Sequence, residues 1–422
     1  DALPNGCSSG SSDCTIHMTW AGAAFQVGPI PTNSDQVGGT TGPKNVVQAG
    51  AQTIAVQDSR AAQNFKVVDT ITLEGGGYLV GYPGLGGQVL TLSPDGSRLY
   101  VLNDQGASVV VIDTATDSIT QTLDVGTLSQ SVAVSRDGTR LYLANPNDGT
   151  VTVLDVDASP GTASTTIGAM DSPWNVTLSA DGDKVYATNA LGIGGLSVID
   201  SATNAVTTTI GDGAMFNSVL DPGGFLYAAD ASINVVYVVD TYADTVLPDT
   251  LYANSPRGLA LSPDGTVLYV SSPSGEVKAF TEPWTVHPDF NDPQLTTIGG
   301  FDKPTALAVS PDGTKLYVAD SSGNSVSVLD IKIQRNIGYS TTTLTKAATI
   351  AVGADPIGLA VSPDGTRVYV ANNDGTVSVI ATDQNPYKNL LMLGAARNGQ
   401  QSNQLVMLTF TDGTQDWWYQ TF

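Results

Sequence analysis

The chain has 422 residues, 41% of them hydrophobic and only 14% charged, and its 40 acidic and 17 basic residues give a formal net charge of −23. That balance excludes a binder of phosphate backbones, which needs clustered Lys and Arg, and an anionic membrane surface would repel it. Apart from Glu74, Glu276 and Glu282 the acidic residues are all aspartate, and many sit in turn-like segments where Asp caps its own backbone.

Residues 1–51 are rich in Gly, Ser, Thr and Asn and read as an N-terminal arm. Cys7 and Cys14, in NGCSSGSSDC, are the only cysteines, and their spacing suits a disulfide across a small loop. The chain starts at Asp1 rather than Met, as it would after loss of a signal peptide, and no apolar run is long enough to span a membrane. Together these features predict a secreted, extracellular or cell-surface protein without membrane insertion. The arm contains the apolar patch TWAGAAFQVGPIP (19–31), so it either lies across its own molecule or reaches a second copy, making a homo-oligomer through residues 1–51.

From residue 52 onward the expectation is all-β. QTIAVQDSRAAQNFKVVDTITLEGG (52–76) reads as the third and fourth strands of a unit that then recurs. Residues 88–126 give the full unit: QVLTLS, a Pro-Asp-Gly turn, RLYVLN, a second turn, SVVVID, a third turn, and SITQTLDVG. Asp-Gly between β-branched runs is a strong hairpin signal, because glycine reaches the positive-φ positions of tight turns. Poorer copies follow at 132–145, 176–189 and 219–230, then clear ones at 259–272, 307–320 and 359–372. The turn glycines fall at Gly96, Gly138, Gly182, Gly223, Gly265, Gly313 and Gly365, in steps of 41 to 52 residues. A period in that range, built only of strands, signals a radial array of four-stranded blades. NLLMLG (389–394) fits a fourth strand for the last full unit, and 404–420 reads as first and second strands with a turn at Gly413. Pairing 52–76 with 404–420 predicts a composite closing blade, hence eight blades over residues 52–422. The alternative is seven blades with 389–422 as an appendage.

The segments LYVLN (99–103), LYLAN (141–145), VYATN (185–189), LYVSS (268–272), LYVAD (316–320) and VYVAN (368–372), with SPDGT before them and VIDTAT-like runs after, resemble the YVTN family of β-propeller repeats, which includes surface-layer proteins. The resemblance covers roughly residues 52–419 and implies the β-propeller fold. It implies no particular chemistry, because such rings serve as scaffolds, binding modules and enzymes.

Few residues suggest catalysis. His17 lies in the arm and His287 in the insertion EPWTVHPDFNDPQL, and triads, haem ligation and copper clusters all lean on histidine. No haem-attachment motif, nucleophile elbow, phosphate loop or dinucleotide fingerprint occurs. The groups Asn145-Asn147-Asp148, Asn372-Asn373-Asp374 and Asp320-Asn324 offer oxygens compatible with a structural calcium, but each falls on a hairpin where turn chemistry explains it. Function in such a ring gathers where each fourth strand links to the next first strand. The positions there are Gln88, Gln130, Trp174 with Asn175, Phe216 with Asn217, Arg257, Lys303 with Thr305, and Asp355 with Ile357, a recognition-like mixture of aromatic, amide and charged groups. The leading expectation is a non-enzymatic protein- or glycan-binding or assembly module. A channel-centred, calcium-dependent hydrolase or lactonase and a structural homo-oligomer subunit stay open as alternatives.

Overall fold

The computed structural model describes residues 65–73, 88–103, 107–126, 128–157, 165–191, 194–281, 283, 295–336 and 339–382, together with six strands outside these ranges. Cys7, Cys14 and His287 lie outside the described residues, and His17 falls in the strand Ile16–Trp20. Among the described residues there is no helix, and so none long and apolar enough to cross a membrane.

The chain divides into two compact units, residues 62–386 and residues 1–61 with 387–422. In the larger unit, seven antiparallel four-stranded sheets follow one another. Blade 1 spans residues 90–124, blade 2 131–167, blade 3 173–210, blade 4 217–252, blade 5 259–299 and blade 6 304–351. Blade 7 takes three strands from 356–381 and its fourth from Lys66–Thr72.

That last strand corrects the expected eight-bladed closure. Lys66–Thr72 pairs with Thr376–Ala381, not with the final residues, in a register running from Thr376↔Thr72 to Ala381↔Lys66. The slot beside Thr376–Ala381 holds one strand, so Asn389–Met392 is excluded from it. It pairs instead with Gln52–Ala55, in the smaller unit. Gln404–Thr409 pairs only with Gln415–Gln420 and Ile16–Trp20 with Ala23–Val27, each as a two-stranded sheet. The ring therefore has seven blades.

A shared irregularity supports the assignment of the closing strand. In blades 1, 3 and 6 the fourth strand carries a bulge that skips one residue opposite the third strand. Lys66–Thr72 has the same bulge between the partners of Val379 and Ile380, leaving Val68 exposed. Ile71 and Leu73 are buried beside it, so the segment packs as a true fourth strand.

The repeat motif explains how each blade is held. Ser93 Oγ donates to Asp95 Oδ1 (2.5 Å), and the Ser97 amide donates to the same oxygen (3.0 Å). The Arg98 amide donates to Ser93 Oγ (2.9 Å), so one serine and one aspartate stitch the whole first turn. The pattern recurs at Ser135/Asp137, Ser179/Asp181, Ser262/Asp264, Ser310/Asp312 and Ser362/Asp364. Blade 4 departs from it. Asp221 replaces the serine, its turn is one residue shorter, and the positive φ sits at Gly224 (+90°) rather than at the expected Gly223.

The second strands bury one tyrosine per blade, Tyr100 through Tyr369, at no more than 1% exposure. Both faces of these strands are covered by neighbouring blades, which is why they read as continuous apolar runs rather than alternating ones. Basic residues at the start of several second strands then clasp the next blade. Arg98 reaches Asp157 (3.0 Å), Arg140 the Ser201 carbonyl (3.1 Å) and Lys184 Asp244 (2.9 Å). Arg367 repeats the clasp from blade 7 to blade 1, gripping Asp117 (2.6 Å) and the Thr114 carbonyl (2.9 Å) across the seam.

Candidate functional site

The first strand of every blade lies innermost, and together the seven surround a cavity of about 280 Å³. Its lining runs from Gln88–Leu90 in blade 1 through Gln130, Trp174, Asn217–Val219, Gly258–Leu261 and Thr305–Leu307 to Ile357–Leu359 in blade 7. None of these side chains is ionisable. The walls are Val, Leu, Ala and Ile, while amides, hydroxyls and one indole gather where the inner strands begin.

The expected site residues divide into two groups. Gln88, Gln130, Trp174, Asn217 and Thr305 line the cavity, and Asn175, Phe216, Arg257, Lys303 and Asp355 do not. Asn175 is fully buried and spent on the fold. Its Oδ1 accepts from Ser131 Oγ (2.8 Å) and the Gln88 amide (3.4 Å), and its Nδ2 donates to Ser218 Oγ (3.1 Å), joining blades 1, 2 and 4 to blade 3. Phe216 packs edge-on against Trp174, with centroids 5.8 Å apart at 80°, and so props the indole from the next blade. Asp355 accepts from Asn373 Nδ2 (3.0 Å), and its amide donates to Asn324 Oδ1 (2.9 Å), tying the link into blade 7 to two hairpins. Lys303 donates its amide to Asp320 (2.7 Å).

Within the lining, hydrogen-bonding capacity is unequal. Thr305 Oγ1 already donates to the Pro356 carbonyl (2.9 Å), bridging blades 6 and 7. Asn217 Nδ2 donates to the Arg257 carbonyl (3.0 Å), which leaves its Oδ1 as an acceptor for an incoming group. Among the described residues the amide side chains of Gln88 and Gln130 have no hydrogen-bond partner, and each can donate and accept. Gly258 and Gly358 were not foreseen as lining residues. A Cβ on Gly258 would meet the Thr305 carbonyl oxygen at 2.3 Å, and one on Gly358 would meet Val89 at 2.5 Å, so only glycine lets these blades approach. A small residue just after the variable position was the available signal.

The proposed calcium oxygens are largely engaged in turns. Asn145 Oδ1 accepts from Ser129 Oγ (2.7 Å), Asp320 caps the Asp302 and Lys303 amides, and Asp374 caps Thr376 and the Ala354 amide. Among the described residues no three His, Cys, Asp or Glu side chains converge on one point.

Residues 285–404 match the family model described as "Lactonase, 7-bladed beta-propeller", which is under half of the chain. A solved structure, the Kuenenia stuttgartiensis hydrazine synthase, superposes with a TM-score of 0.60 at 23% identity. The match covers 74% of this chain and 99% of that one. At such identity the likeness concerns the fold alone. No curated protein matches. Seven equivalent sheets around one axis, a matching propeller model and a structural neighbour lead to one conclusion: this chain is a seven-bladed β-propeller.

Proposed function

We propose that the ring is a non-enzymatic, extracellular binding module that takes the neutral, hydroxylated end of a glycan at the mouth of its channel. One observation carries this reading: a cavity walled by all seven blades holds amides and an indole but no ionisable side chain. Amides satisfy hydroxyl groups as donor and acceptor at once, and an indole face or edge receives the apolar C–H side of a sugar ring. The size suits a single sugar residue rather than a broad protein epitope, because small-molecule sites run from roughly 300 Å³ upward.

The test is calorimetric titration of neutral oligosaccharides against the intact protein and a Gln88→Ala/Gln130→Ala variant. Each lost hydrogen bond is worth about 1 kcal/mol, so the double change weakens binding roughly 10-fold or more. Unchanged melting temperature completes the expected result, because neither amide holds the fold together. Failure of every neutral sugar to bind the unaltered protein overturns the reading.

The lactonase family model favours a second reading, hydrolysis of a lactone through an activated water. General acid–base work requires a titratable group within hydrogen-bond reach of the substrate, and the cavity lining supplies none. Under the binding reading, glucono-1,5-lactone opens no faster with the protein than in buffer, with or without added calcium. Acceleration abolished by chelation would instead establish the enzyme. The homo-oligomer reading is decided by light scattering on the chain with and without residues 1–51.

A further inference from the structure

Eight residues before the positive-φ glycine of each first turn lie Gln88, Gln130, Trp174, Phe216, Arg257, Thr305 and Ile357, and Arg257 is the one cation of that set, Lys303 falling two residues outside it. It also holds less than three other arginines do. Arg98, Arg140 and Arg367 each grip an oxygen of a neighbouring blade. Arg257 fixes only its backbone: its amide donates to the Ser271 carbonyl (3.0 Å), and its own carbonyl accepts from Asn217 Nδ2 (3.0 Å). Its Nε and Nη1 are shut away from solvent with no hydrogen-bond partner. Burial pushes the guanidinium below its ordinary value, and no anion opposes the shift.

Arg257 is half-buried, and leaving two guanidinium donors out of reach of water and unpaired is an unfavourable placement. It is conspicuous in a chain with 40 acidic residues to choose from. Because Nε and Nη1 form no internal bond, swinging the group outward breaks none. Its Cα is adjacent to Gly258, which lines the cavity, so the side chain has only a short way to travel. The net charge of −23 disfavours polyanions, whereas a single guanidinium matches a single planar carboxylate in a two-pronged contact.

Building on the binding reading above, we propose that Arg257 is a movable clamp for the carboxylate of an acidic sugar whose neutral body occupies the channel mouth. The resting protein keeps the guanidinium tucked beside the entry to blade 5, and the ligand supplies its missing counter-charge.

The experiment compares two probes by calorimetry, a disaccharide ending in glucuronate and the same disaccharide ending in glucose, on the full chain and on Arg257→Gln. A charge-assisted pair gives the unaltered protein a preference for the acid of about 10-fold or more, and the ratio falls to about one in the variant. Arg257→Gln melts no lower than the parent, because the change removes two buried donors that no protein group satisfies. Equal binding of the two probes by the parent, or an acid preference that survives in the variant, overturns the clamp while leaving the neutral site standing. If neither probe binds the parent, the channel-mouth reading falls and takes the clamp with it.

Discussion

Asp95 and Asp137 show how a single residue type serves the whole ring. Hydrogen bonds from Ser93 and Ser97 hold Asp95 down at about 2, and those from Ser135 and Thr139 do the same for Asp137, against an ordinary 3.8. Asp181 is lowered for the same reason, by Ser179 and the Asp183 amide, and Asp364 is lowered by Ser362 and Thr366 against the opposing effect of burial. Groups lowered in the fold contribute stability that is fully present above 3.8 and is lost as the pH falls toward about 2. Water screens each carboxylate, so the effect shows because it recurs around the ring. The melting temperature should therefore hold steady down to about pH 4 and drop steeply below it, and Asp95→Asn/Asp137→Asn should flatten that drop. A drop of the same steepness in the double variant would place the acid sensitivity elsewhere. The turn aspartates were legible in the sequence because Ser-x-Asp-Gly is a local motif. Asn175 was not: its neighbours Ser131 and Ser218 come from other blades, and nothing near residue 175 announces them. Arg257 looked like a surface contact for a similar reason, since sequence spacing gives the position of a side chain in its repeat but not its burial.

Strands 66–72 and 376–381 form the element on which closure depends. Here the sequence pattern misled in an instructive way. KVVDTIT has the alternation and the bulge residue of a fourth strand, but NLLMLG has an equally suitable apolar pattern. Pattern gives a strand its type, whereas partner choice depends on register and on which slot is vacant. In the structure Ile71 enters the core beside Val377, with Leu73 bonded to the Gly375 carbonyl (2.9 Å). Ile71→Asp should destabilise the ring by about 3 kcal/mol or more, since it puts an unpaired charge into a buried slot. Arg367→Met, which removes the partly exposed clasp to Asp117 and the Thr114 carbonyl, should cost about 1 kcal/mol. Thermal or urea unfolding of the two variants checks both figures. Near-equal losses would show that the clasp, not the strand, carries the seam.

At the scale of the molecule, the repeat made the architecture readable almost from its turns alone. Turn-glycine spacing and the Leu/Val-Tyr strands identify blades 1 to 6 and three strands of blade 7, although blade 4 lacks the Asp-Gly pair and the copy at Gly413 marks no blade of the ring. The number of blades was harder, because it depends on how two distant ends share a single sheet. The candidate site was partly readable too. Equivalent positions in a ring converge on its axis, which is how Gln88, Gln130, Trp174, Asn217 and Thr305 come to share a cavity drawn from five different blades. Which of their neighbours turn inward and which are consumed between blades is decided by packing, and no periodicity encodes it.

The closing register has a mechanical corollary. Lys66 is paired directly with Ala381, so the two exits from the ring lie at the same end of one ladder. Tension drawn between residues 65 and 382 loads that end first, and the pairs part in succession like a zipper instead of resisting together in shear. A load entering through these two attachments would open the ring at blade 7 before it strained any other sheet, while pulling across any other pair of blades would meet a covalently continuous chain.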